Sequence, residues 1–101
     1  MGGTWARRTA VAVAYLFACV AAAAAASIPP PGAASCTGCH AASAKVDTSV
    51  PRLAGRNPAE IVAAMVAFRS GQKPATVMDR IAKGFTEAEI RAIAAWLGAQ
   101  R

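Results

Sequence analysis

No stretch of this chain alternates apolar and polar residues with period two, so nothing in it reads as a half-buried strand. No basic run carries interleaved aromatics, which argues against a nucleic-acid partner. No nucleophile with an adjacent base and no acid–base pair stands out, so the chain alone does not read as an enzyme. Histidine occurs once, and acidic residues number five against eleven Lys and Arg. Bulky apolar material is scarce too. Beyond residue 26 the aromatic side chains are Phe68, Phe85 and Trp96, and alanine fills much of the rest. A chain of 101 residues holds one small domain. With so thin an apolar inventory, it gains from something large and flat to pack around.

What is there begins with an export pattern. Met1 to Arg8 carries Arg7 and Arg8 and no acid; Ala10 to Ala26 is an unbroken apolar run closed by Ala24-Ala25-Ala26-Ser27. A basic start, an apolar stretch and small residues at the exit make a secretory signal peptide, expected over residues 1–26, with a periplasmic destination. Two other outcomes bring a membrane into play. The run approaches a bilayer-spanning length, so an uncleaved signal is an anchor. Leu16-Phe17-Ala18-Cys19 also resembles a lipoprotein cleavage site, which lipidates Cys19. Cleavage after Ala26 removes two of the eleven cations. Nine then face five acids, a net charge of +4, and a modest positive face of that kind steers an acidic partner protein.

The rest divides into a proline-rich lead-in over 27–34, holding Pro29-Pro30-Pro31-Gly32, and one domain over 35–101. Helix is permitted through Cys36 to Ala41, and Pro51 and Gly55 mark a loop. Asn57-Pro58, with Glu60 able to reach back, opens a helix that Ser70-Gly71 stops; Ile61, Met65 and Phe68 recur on it at helical spacing. A short helical turn is expected over Thr76 to Ala82, ended by Lys83-Gly84. Thr86-Glu87-Ala88-Glu89 is a capping box opening the last helix, whose stripe of Ile90, Ile93, Ala94 and Leu97 runs up to Gly98. The fold expected is all-α.

The chemistry lies in Cys36-Thr37-Gly38-Cys39-His40. C-x-x-C-H is the attachment motif for haem c. On one helical turn, two thiols three residues apart reach the two vinyl groups at one edge of the porphyrin, and the next residue aims its imidazole at the iron. Thioredoxin-like use of the cysteines needs a strand that is not here. A structural zinc site needs four ligands, and beyond residue 26 the chain offers only Cys36, Cys39 and His40. A plain Cys36–Cys39 disulfide leaves His40 and the thin core unexplained.

One histidine excludes bis-histidine ligation of the iron within a single chain. Methionine is the other common partner and raises the potential. Met78, in a loop-like stretch after Pro74 and 38 residues beyond His40, is the expected axial ligand. Met65, on the apolar face of a helix, and an open site are the alternatives. An iron-bound histidine donates its other ring N–H to a carbonyl, for which Pro51 is a candidate, an ordinary turn proline being the alternative; Leu53 is placed at the haem edge beside it. Core packing is the simpler reading of Leu53 and of Trp96.

The motif, the loop Pro51-Arg52-Leu53-Ala54-Gly55, the Met78 loop and the closing helix come in the order used by class I cytochromes c, which this chain resembles from Ser35 to Gln100. Phe68-Arg69-Ser70-Gly71 followed by Thr76-Val77-Met78-Asp79-Arg80-Ile81-Ala82-Lys83-Gly84-Phe85 is similar to the cytochrome subunits of flavocytochrome c sulfide dehydrogenases. The resemblance implies a small helical shell wrapped around one haem. Cys36 and Cys39 are then the thioether anchors, and His40 and Met78 the iron ligands. It also implies a partner, an FAD-containing sulfide dehydrogenase flavoprotein subunit that passes electrons to this haem, and a soluble acceptor that takes them on. The chain departs from the class at its start, where Pro29 to Gly32 leaves room for a short first helix at most. Rival readings are a free-standing electron shuttle of the same fold and a haem module binding gas or peroxide at an open site.

Overall fold

Asn57 starts the central helix. Its side chain accepts from the Ala59 N–H at 2.9 Å, while Pro58 fills the first helical position, where its missing N–H costs nothing. The computed structural model describes residues 28–100, so the export segment expected over 1–26, Cys19 included, lies outside the described residues. Among the described residues four helices follow one another: α1 (Ala34–Thr37), α2 (Pro58–Ser70), α3 (Met78–Lys83) and α4 (Glu87–Ala99). Among the described residues there is no strand, in keeping with an all-α fold. None of these helices is long and apolar enough to cross a membrane.

The caps are mostly those the sequence implies. α2 ends at Gly71, whose φ of +78° is the left-handed turn that glycine adopts without strain. The Lys73 N–H then returns to the Ala67 carbonyl at 3.1 Å and folds the chain back towards α3. Among the described residues the Glu60 carboxylate makes no hydrogen bond back to Asn57, whose carbonyl accepts only from the backbone N–H groups of Glu60 and Ile61, so the side-chain cap rests on Asn57 alone. At α4 the box is complete. The Thr86 hydroxyl accepts from the Glu89 N–H at 3.2 Å, and the Glu89 carboxylate accepts from the Thr86 N–H at 2.7 Å. α4 does not stop at Gly98 but runs through it to Ala99.

α2 is the hub, packed against both α3 and α4. The buried cluster joins Ile61 of α2 to Ile93, Ala94 and Leu97 of α4, together with Ala33 just before α1. Cys36, Leu53, Val62, Phe85 and Trp96 pack around it, half-buried. Among the described residues the buried apolar set also includes Ala82 and Ile90, so three of its seven members are alanines. A cluster that light contributes little by area burial. Most of the larger apolar side chains turn instead to a cavity.

Candidate functional site

The motif sits on and just after the shortest helix. Cys36 lies in α1, and the chain keeps curling beyond Thr37: the Cys39 and His40 N–H groups both bond to the Cys36 carbonyl, at 3.3 and 2.9 Å. One continuous turn therefore carries both thiols and the imidazole. Cys36 and Cys39 are free thiols, the first half-buried and the second exposed. Burial pushes the Cys36 thiol above its ordinary value, so it stands protonated at neutral pH.

His40 is oriented by the loop that follows. Its Nδ1 is 2.5 Å from the Pro51 carbonyl, across eleven residues. A carbonyl can only accept, so Nδ1 carries the proton and donates, and Nε2 is the ring nitrogen left with a lone pair. The loop is itself pinned at both sides. Arg52 Nε donates to the Ala42 carbonyl at 2.7 Å, and the Gly55 N–H reaches the Leu97 carbonyl of α4 at 3.0 Å. Nothing in the sequence around Arg52 announces its partner.

Cys36, Cys39, His40, Pro51, Leu53 and Met78, the six positions singled out from sequence, all line one cavity of about 480 Å³. Met65, the alternative ligand, lines it too. The walls are apolar: Ile61, Met65 and Phe68 of α2, Ile81 of α3, Phe85, and Ile90, Ile93 and Leu97 of α4. The helical stripe of α2 that reads as core from sequence thus faces this space as much as its neighbours. Trp96 is absent from the lining and packs against the core.

The donor set decides what the cavity suits. Among the described residues no three of His, Cys, Asp and Glu gather to hold a metal ion by themselves. An ion held by a macrocycle needs only axial donors, and here one histidine, His40, and two methionines, Met65 and Met78, line the same apolar space. Cys36 and Cys39, both free thiols, line it as well and would give a porphyrin two points of attachment. The volume is within the range of small-molecule and cofactor sites. These residues fit an iron porphyrin bonded to the chain.

No family model matches the chain. It is 39% identical over 64 residues to the cytochrome subunit of sulfide dehydrogenase of Chlorobaculum tepidum, covering 63% of this chain and 58% of that protein. It is 33% identical over 63 residues to cytochrome c-552 of Acidithiobacillus ferridurans, covering 62% of this chain and 27% of that protein. The chain thus spans less than two thirds of the length of either relative.

Proposed function

We propose, from the premise that this chain is a class I cytochrome c holding one covalent haem c, that it is a periplasmic electron-transfer subunit serving a sulfide-oxidising flavoprotein. The observation that carries the reading is the convergence on one apolar cavity of Cys36, Cys39 and His40 from one turn and Met78 from a helix 38 residues on. Bound there, the haem supplies a one-electron iron couple.

The chain's own residues set the terms of that couple. Cys36 and Cys39 form the thioether bonds. His40 would offer Nε2 to the iron, held in that tautomer by the Pro51 carbonyl. Met78, which lines the same cavity, would offer its sulfur as the second ligand, and methionine ligation would favour a higher potential. Apolar side chains of α2 and α4 wall the cavity, and Leu53 lines it beside them. Cys39 and Pro51 are exposed, so this edge of the site stays open to a partner.

The partner is an FAD-containing subunit that oxidises sulfide and hands on electrons; a soluble protein accepts them in turn. The name of the Chlorobaculum relative supports the sulfide dehydrogenase part of this. The first 26 residues act as the export signal, leaving Ser27 as the mature N-terminus.

Expression in a host with a haem-ligation system tests the whole. A mass spectrum of the exported protein is expected to show Ser27 at the N-terminus and the added mass of one porphyrin. Mixed with the flavoprotein subunit, the haem is expected to be reduced when sulfide is added. Colourless protein with both thiols free overturns the cytochrome reading; a haem protein that the flavoprotein neither binds nor reduces overturns the partner.

A further inference from the structure

Arg69 lies in the last turn of α2, with its side chain half-buried against the end of α3. Its Nε and Nη2 are each 3.3 Å from the Ala82 carbonyl, and Nη2 also donates to the Phe85 carbonyl. One guanidinium therefore grips two backbone acceptors, 13 and 16 residues further along, where α3 ends and the chain turns into α4. Ala82 is fully buried at that point.

α3 needs such a grip. It has six residues, too few to be stable alone. Its entry residue Val77 makes no side-chain cap hydrogen bond. The last carbonyls of a helix lack intrahelical partners, and its C-terminus carries partial negative charge, so a cation donating there is doubly favourable. Hydrogen bonds from a charged donor are among the stronger ones in a protein. Met78 is the first residue of this same helix.

We propose that Arg69 is a positioning residue for Met78: by clamping the C-terminal end of α3 to α2, it holds the methionine sulfur at the cavity against displacement. This rests on Met78 being the axial ligand. Arg69 itself is not among the residues lining the cavity, so its influence runs through the backbone of α3.

The test compares haem-loaded wild type, Arg69→Gln and Arg69→Lys. Guanidinium titrations follow far-ultraviolet helix signal and the ferric sulfur-to-iron charge-transfer band together, and imidazole is titrated as a competitor for the iron. In Arg69→Gln the band is expected to vanish at lower denaturant than the helix signal, and imidazole to bind about tenfold more tightly, reflecting a lost charge-assisted hydrogen bond. Arg69→Lys, with a single charged head in place of the fork, is expected to fall between. If band and helix signal are lost together and imidazole affinity is unchanged, Arg69 is only a stabilising contact and the proposal is overturned. Should Arg69→Gln not accumulate, the same comparison is made on Arg69→Lys. Failure of the ligand assignment looks different: wild type then has no such band, or Met78→Ala keeps it, and the proposal falls with that assignment.

Discussion

The His40 Nδ1 and the Pro51 carbonyl oxygen are 2.5 Å apart, so the imidazole is locked by a loop residue eleven positions away rather than by its own helical turn. The lock has two consequences. It fixes which nitrogen is free, and it makes the ring a stronger electron donor, because an N–H that donates leaves more charge on the ring.

Pro51→Gly tests this relationship. The carbonyl survives, but the chain loses the fixed φ that presents it. Stability is expected to fall by about 0.4–1 kcal/mol, mostly from the freer unfolded chain. A weaker hydrogen bond makes the imidazole a poorer donor, so ferric iron is less favoured and the reduction potential is expected to rise. A redox titration that gives a lower potential contradicts the role assigned to the carbonyl.

Met65 and Met78 border the same cavity, so geometry alone leaves two sulfurs in reach. Met78→Ala is expected to abolish the sulfur-to-iron charge-transfer band and lower the potential. Met65→Ala is expected to keep the band and cost about 2 kcal/mol of stability, as a truncated apolar wall does. The reverse pattern transfers the ligand role to Met65. Carbon monoxide binding to undenatured ferrous protein, with Met78→Ala changing nothing, indicates an open site.

Both ends of α2 and the start of α4 were legible because their signals are local: Asn57-Pro58 and Gly71 bracket one helix, and Thr86 with Glu89 opens the other. The cavity was legible in part. A helical stripe such as Ile61, Met65 and Phe68 tells which face is apolar, but not whether that face meets another helix or a space. Gly98 reads as a helix end, since helices commonly end at glycine; its real constraint is an approaching neighbour, which no local pattern encodes. Arg69 was invisible for the same reason. Its acceptors are backbone carbonyls, and every residue has one.

The capping box of α4 makes acid stability depend on one carboxylate. The Thr86 N–H and then the Thr86 hydroxyl, both bonded to it, hold the Glu89 carboxyl below its ordinary value. A lowered folded value means that the contribution is fully present above the unfolded carboxyl's value. It is lost as the pH falls through the folded one. Glu89→Gln is therefore expected to destabilise at neutral pH and to converge on wild type in acid. Thr86→Ala is expected to cost about 1 kcal/mol at neutral pH. Denaturant midpoints measured from neutral to acid pH check both; a gap between wild type and Glu89→Gln that widens in acid rules out the carboxylate's role.

Gly98 ties this packing to the site. A Cβ there would stand 2.7 Å from Pro58 Cγ and 2.8 Å from the Arg56 carbonyl oxygen, a separation that real Cβ atoms do not keep. Alanine favours a helix interior over glycine by roughly 0.5–1 kcal/mol, so an open position would be stabilised. Here the clash is with backbone and a rigid ring, neither of which swings aside, and Gly98→Ala is expected to cost about 1–3 kcal/mol instead. Gly71→Ala is the contrasting case: nothing lies within 4 Å, and the cost, roughly 1–2 kcal/mol, comes from its φ of +78°. The two should differ at the haem. Arg56 and Leu53 line the cavity, so pushing α4 away from Arg56 disturbs the wall beside the loop that orients His40. Gly98→Ala is thus expected to shift the haem absorption and the potential, whereas Gly71→Ala lowers the denaturant midpoint with a smaller spectral change. Equal spectral effects would show that the α2–α4 crossing has no special hold on the site.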